Sequence, residues 1–214
     1  MNQHFVNKIN SDELVIFFAG WGINERILSN NQPFDKDLLI CFDYRNPFFD
    51  FEIIEKYKKI KLVAWSFGVW MAAKTLHSSD ICFSKKIAFN GTMFPIDKDR
   101  GISLDYFDKT TENLSEQTLI KFNKRMCGNS AVYNYFEALK AQRNVADLKE
   151  ELISFKENYY NSPEFSFDWD EIYVGDEDRI FIPNNQKMAW SDKKINLINA
   201  FHYDGDILKR LIYE

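Results

Sequence analysis

Six short apolar runs set the strongest constraint on this chain: Leu14 to Phe18, Leu38 to Phe42, Lys61 to Trp65, Lys86 to Phe89, Ile172 to Val174 and Ile195 to Ile198. Runs such as LVIFF and LLICF do not alternate with polar residues. As strands they have no wet face, which is the pattern of a parallel sheet covered by helices on both sides. Helical patterns fall between them, over Phe51 to Lys59, Phe67 to His77 and Asp204 to Tyr213. The alternation predicts an α/β fold, a mostly parallel sheet between two helical layers. A chain of 214 residues, 45 % of them apolar, suffices for one full core.

Between Pro95 and Pro163 the strand signal vanishes, and segments such as SEQTLIKFNKRM and SAVYNYFEALKAQ carry apolar residues at helical spacing. Ser115, with Thr118 three residues on, is a weak helix start, whereas Asn129 or Ser130 is a plausible cap for the helix after it. The expected organisation is a core of residues 1–94 and 164–214, with residues 95–163 inserted as a small helical cap over the sheet.

Charge and cysteine content exclude several classes. Lys and Arg number 27 against 32 Asp and Glu, a net charge of -5, which argues against a general nucleic-acid binder. Cys41, Cys82 and Cys127 are far apart and have no ligand spacing, so neither a disulfide framework nor a metal site is expected. The N-terminal residues MNQHFVNKINSDE show no leader pattern, and no apolar run approaches the roughly 18 residues of a membrane span. A cytoplasmic protein without a membrane partner is the expectation.

One hydroxyl stands out in this frame. If Lys61 to Trp65 is a strand and Phe67 to His77 a helix, Ser66 occupies the turn between them, at the sheet edge where open α/β sheets bind ligands. Ala64-Trp65-Ser66-Phe67-Gly68 is the nucleophile-elbow pattern G-x-S-x-G with Ala in the first place. Small residues are needed there because strand and helix backbones approach closely. This fold orders its partners Ser, then Asp or Glu, then His. Of the three histidines, His4 precedes the first strand and His77 lies far along the helix that Ser66 starts. His202, after the last strand, is the candidate base. In IYVGDEDRIFIP, Asp178 fits the position of the orienting acid and Asp176 is the reserve. The backbone N–H groups of Phe67 and of Trp21, in the glycine-flanked turn Ala19-Gly20-Trp21-Gly22, are candidate oxyanion donors. That turn lacks the spacing of a nucleotide-binding loop.

FFAGWG, VAWSFGVW, FNGTMFPID and GDEDRIFIPNNQ together resemble the BioG family of small α/β-hydrolases, the pimeloyl-[acyl-carrier protein] methyl ester esterases of biotin synthesis. The resemblance spans nearly the whole chain. It implies a cofactor-free esterase acting on the pimeloyl methyl ester carried by acyl carrier protein, with Ser66 as nucleophile, His202 as base and Asp178 as acid. Two other readings compete: a broad carboxylesterase or thioesterase of the same fold, and a non-enzymatic ligand-binding protein that keeps the hydrolase shell.

An acidic carrier protein needs a basic landing surface. Lys121, Lys124 and Arg125 share one predicted helix face, and Lys140 and Arg143 are assigned to the next predicted helix. Trp21, Phe67, Asn90 and Met93 are the candidates, by position, for shaping the substrate channel.

Overall fold

In the computed structural model, which describes residues 1–29 and 33–214, the six expected strands form one sheet and a seventh joins at its edge. The strands are β1 (Asn2–Asn7), β2 (Glu13–Phe18), β3 (Asp37–Phe42), β4 (Lys59–Trp65), β5 (Phe83–Phe89), β6 (Glu171–Gly175) and β7 (Asn196–Ile198), in spatial order β1-β3-β2-β4-β5-β6-β7. Only β1 runs antiparallel, against β3. Its sequence, NQHFVN, is mostly polar and none of its residues is fully buried, so an edge strand of this kind leaves no apolar run to read. The unbroken runs behave as expected: β3 is buried throughout and β2 at every position after Glu13.

The strand order places the site. From β2 the chain steps outward to β3, then crosses back to form β4 on the other side of β2. The loops leaving the C-terminal ends of β2 and β4 therefore diverge, and the crevice between them is where a doubly wound sheet presents a ligand site. Ser66 and the loop of residues 19–22 both lie there.

Helix α1 (Phe67–Leu76) follows β4, α6 (Pro183–Ala189) follows β6 and α7 (Gly205–Tyr213) closes the chain. Four helices stand between β5 and β6: α2 (Leu104–Glu112), α3 (Glu116–Cys127), α4 (Ser130–Leu139) and α5 (Val145–Asn161). The start of α3 is stronger than its sequence suggests. The Ser115 hydroxyl accepts from the Thr118 N–H at 3.3 Å while Thr118 Oγ1 accepts from the Ser115 N–H at 2.8 Å, a reciprocal box with Thr in the place usual for Glu. Asn129 caps α4 through its side chain, as expected.

Two sequence expectations fail. The pattern over Phe51 to Lys59 forms only a 3-10 turn at Glu52–Ile54, and Lys59 already belongs to β4. The Lys58 N–H donates to the Asp12 carbonyl at 2.9 Å, drawing the chain into place beside β2 before a helix can extend. Arg143 does not lie on a helix: Lys140 caps the end of α4, and Arg143 sits in the connection to α5.

Candidate active site

The turn between β4 and α1 is strained. Ser66 adopts φ 60° and ψ -129°, a conformation that side-chain-bearing residues rarely hold and that costs about 1–3 kcal/mol. Its backbone is secured at both ends. The Ser66 N–H donates to the Phe89 carbonyl and its own carbonyl accepts from the Val69 N–H, each at 3.0 Å. Gly68 explains the small residue two places on, because a Cβ there would stand 2.3 Å from the Phe18 carbonyl oxygen of the neighbouring strand. The serine is thus raised at the sheet's C-terminal edge with its hydroxyl directed away from the backbone bonds that hold it.

The partners arrive from the two strands beyond β5. His202 Nε2 lies 3.0 Å from Ser66 Oγ, and its Nδ1 lies 2.8 Å from Asp178 Oδ2. A carboxylate can only accept, so Nδ1 carries the proton and Nε2 is free to accept from the serine hydroxyl. Asp178 is held by more than the histidine. Its Oδ1 accepts from the N–H groups of Ile180 and Phe181, and Oδ2 also accepts from Gln186 Nε2 at 3.1 Å. The serine, histidine and acid are all buried, whereas Asp176 is exposed. Geometry separates the two acid candidates that spacing left close together.

The imidazole itself is packed on two sides. Phe181 stacks on it with a 5.9 Å centroid separation at 10°, and the Trp65 indole lies 5.5 Å away. These rings limit rotation about the Asp178 contact without competing for either nitrogen.

The loop after β2 lies over the serine. Gly20 lies against Ser66, with a hypothetical Cβ 3.2 Å from Ser66 Cβ, and Gly22 at φ +72° turns the chain back. Among the described residues the N–H groups of Trp21 and Phe67 have no acceptor within the protein, so both remain available for an oxyanion. The loop is gripped from above by α5. Trp21 Nε1 donates to the Leu148 carbonyl at 2.9 Å, and the Gly22 N–H donates to Glu151 Oε2 at 3.3 Å.

An apolar cavity of about 30 Å³ stands over Ser66, and Trp21, Phe67, Phe107, Phe122 and Met126 contribute to its wall. Its lining carries no Lys, Arg, Asp or Glu among the described residues. Trp21 and Phe67, both named from the sequence, form part of this wall. Asn90 does not: it is fully buried beneath the triad, with Nδ2 donating to the carbonyls of Phe201 and His202 and Oδ1 accepting from the Gly175 N–H. Met93 packs half-buried against the core, outside the described lining of the cavity. Sequence reasoning missed Gln186, which no local pattern marks, because its role depends on a fold contact to Asp178.

The basic candidates separate into two groups. Lys121, Lys124 and Arg125 are exposed on α3. Arg125 is also tied down, its Nε donating to the Arg179 carbonyl at 2.8 Å and its Nη1 to the Tyr106 hydroxyl at 3.2 Å. Lys140 pairs with Glu137 on its own helix. Arg143 is removed from any docking surface: its side chain is 11 % exposed and its Nη1 lies 2.6 Å from Glu151 Oε2. Burial pushes the Glu151 carboxyl up, opposed by the Arg143 guanidinium and the Tyr44 N–H. The thiol of Cys127 is likewise pushed up, to about 12, by burial, so it stays protonated at neutral pH and offers no competing nucleophile.

A mostly parallel seven-stranded sheet with a serine on the turn after a central strand, and with histidine and acid after the last two strands, defines an α/β-hydrolase. The chain belongs to the BioG family, described as pimeloyl-ACP methyl esterase, whose family model matches residues 1–208. It is similar to the crystal structure of BioG from Haemophilus influenzae at 31 % identity and a TM-score of 0.90, covering 100 % of both chains. It is 43 % identical over 199 residues to a malonyl-[acyl-carrier protein] O-methyltransferase of Bacteroides fragilis strain 638R, an alignment that covers 92 % of this chain and 41 % of that protein. The chain thus spans about two fifths of that relative's length. A non-heme bromoperoxidase from Mycobacterium tuberculosis, at 12 % identity with a TM-score of 0.63 over 94 % of this chain and 89 % of that one, shares the fold.

Proposed function

We propose that this chain is a serine carboxylesterase that hydrolyses the methyl ester of a pimeloyl chain carried on acyl carrier protein, releasing methanol and the free carboxylate. The observation that carries the reading is the hydrogen-bonded line from Ser66 Oγ through the His202 ring to Asp178 beneath an uncharged cavity. Family membership supplies the substrate class. In the first step Ser66 attacks the ester carbonyl as His202 Nε2 takes its proton, and the protonated imidazole then returns that proton to the departing methoxide. A water activated by the same nitrogen hydrolyses the acyl-enzyme. The N–H groups of Trp21 and Phe67 stabilise both tetrahedral oxyanions; removal of one such donor costs about 3 kcal/mol in other hydrolases.

The cavity favours this substrate on two counts. Its uncharged wall suits a neutral methyl ester and disfavours the carboxylate produced, because a carboxylate must be paired to stay buried. It also shares Tyr106, Thr110 and Phe122 with a cleft of about 270 Å³ between α2 and α3, whose rim includes Lys109, Lys121 and Arg125. At about 30 Å³ the inner cavity is small, and the residues it shares with the cleft mark the route by which an acyl chain would enter. In this reading residues 95–163 act as the cap, and α3 meets the acidic carrier protein.

The test is release of free pimeloyl-acyl carrier protein from its methyl ester by the native chain and by Ser66→Ala, with p-nitrophenyl butyrate run alongside. Ser66-dependent turnover with strong preference for the carrier-protein ester is the expected result. Turnover of the small ester alone would retain the nucleophile and reject the substrate.

A further inference from the structure

The mechanism leaves unused a buried carboxylate that touches the oxyanion loop. Glu151, on α5, has a side chain only 1 % exposed, yet each of its oxygens accepts from a backbone N–H of the sheet layer. Oε1 takes the N–H of Tyr44, in the loop after β3, at 3.1 Å, and Oε2 takes the N–H of Gly22, in the loop after β2, at 3.3 Å. One turn earlier on the same helix, the Leu148 carbonyl takes the Trp21 indole N–H. Helix α5 therefore holds Trp21 by its side chain and the next residue by its backbone. The Trp21 N–H proposed for the oxyanion lies between those two anchors.

A lone carboxylate so near a developing oxyanion would oppose the reaction. Arg143 answers that charge, with Nη1 at 2.6 Å from Glu151 Oε2, and its Nη2 lies 3.3 Å from Asp43 Oδ1. Asp43 is in turn gripped by Arg45 through two bonds of 2.8 and 2.6 Å, and Arg45 reaches Asp147 at 3.2 Å. The ion cluster thus joins the start of α5 and the segment before it to the loops after β2 and β3. Its innermost member is the one bonded to the oxyanion loop.

We infer that Glu151 is a positioning residue that, with Arg143 as its countercharge, sets the oxyanion loop, so that the seating of α5 governs the rate of acyl transfer. The inference rests on the serine-esterase reading. It assigns to the helical segment a part in the chemical step, separate from gating the substrate. A carboxamide at position 151 keeps one acceptor oxygen and turns an amine toward the other donor, so Glu151→Gln loses one of the two backbone bonds while keeping the volume.

The experiment measures p-nitrophenyl butyrate kinetics for the native chain, Glu151→Gln and Glu151→Ala, with rates normalised to sites titrated by a fluorophosphonate. Affinity for an alkyl boronic acid, which forms a tetrahedral adduct on the serine, is measured in parallel. The expected result is a fall in kcat of about tenfold for Glu151→Gln with KM within about twofold, and a matching loss of boronate affinity. Native kcat per titrated site and unchanged boronate affinity in Glu151→Gln would overturn the inference, whatever happens to its thermal stability. If Glu151→Ala fails to fold, the isosteric variant alone decides. Failure of the native chain itself to label or turn over would overturn the esterase reading instead, a distinct outcome.

Discussion

Trp65 Nε1 donates to the backbone carbonyl of His202 at 2.8 Å, so the residue immediately before Ser66 holds the backbone of the histidine that meets the Ser66 hydroxyl. Asn90 joins the same carbonyl from the end of β5 at 3.1 Å, and it also binds Phe201 and the Gly175 N–H at the end of β6. Spacing between Ser66 and His202 is therefore set by groups buried beneath the site rather than by the reacting atoms. Trp65→Phe removes one of two donors to His202 and is expected to cost about 1 kcal/mol of stability and a few-fold in kcat. Asn90→Ala strands a donor and an acceptor in the interior and is expected to cost about 2–3 kcal/mol. Urea unfolding and p-nitrophenyl butyrate turnover on both variants check the ranking. Equal, negligible effects would show that these bonds do not set the geometry.

The two aspartates near Gly175 should differ sharply in kinetics. Asp178→Asn replaces an acceptor of the His202 proton with a group that can offer its own N–H, favouring the wrong imidazole tautomer; comparable changes cost on the order of 10⁴ in kcat. Asp176 is exposed and its backbone N–H serves the Ile198 carbonyl, so Asp176→Asn is expected to keep kcat within about twofold. Measuring both at pH 7.5 separates them, and a larger loss for Asp176→Asn would reverse the assignment.

The elements that repeated in sequence were legible because their physics is local. Runs such as LLICF carry burial on both faces in every residue, and VAWSFGVW carries the steric demand of the elbow in Gly68. β1 escaped because an edge strand needs little apolar content. Asn90 is ambiguous in sequence for a different reason. A polar residue after a strand looks the same whether it faces a substrate or ties strands together, and only the arrival of residues 175 and 201–202 decides. Arg143 illustrates the same limit for charge: a basic residue advertises its sign, while its partner Glu151 becomes a neighbour only when α5 docks on the sheet.

That correction sharpens the carrier-protein prediction. Arg125 contacts the Arg179 carbonyl, next to Asp178, so its reversal would disturb the acid loop as well as any docking surface. Lys121 and Lys124 are exposed on the same helix, and Lys124 lies 5.4 Å over the Tyr133 ring. Lys121→Glu combined with Lys124→Glu is expected to raise KM for the carrier-protein ester about tenfold at low salt and leave p-nitrophenyl butyrate unaffected. The penalty should shrink as salt rises. Equal losses on both substrates would place the effect in the enzyme rather than in docking.

The sheet also holds a cation under stress. Lys61 lies half-buried in β4, where burial, with Lys85 and Lys36 nearby, lowers its pKa to about 8. Glu171 and Glu214 oppose the shift but do not cancel it. Near neutral pH the amine is charged in both the folded and unfolded chain, and the folded chain bears the cost of holding that charge out of water. Between about 8 and the unfolded value near 10.5 the folded form releases its proton while the unfolded form keeps it, so native stability gains with rising pH. Lys61→Met carries no such cost at any pH. Its advantage over the native chain should therefore be greatest at pH 7 and shrink steadily toward pH 10. Paired urea unfolding curves at pH 7.0 and 9.5 measure the difference directly, with contributions from distant groups cancelling between the two proteins. A stability difference that is flat or grows over this interval would show that Lys61 is fully solvated in β4.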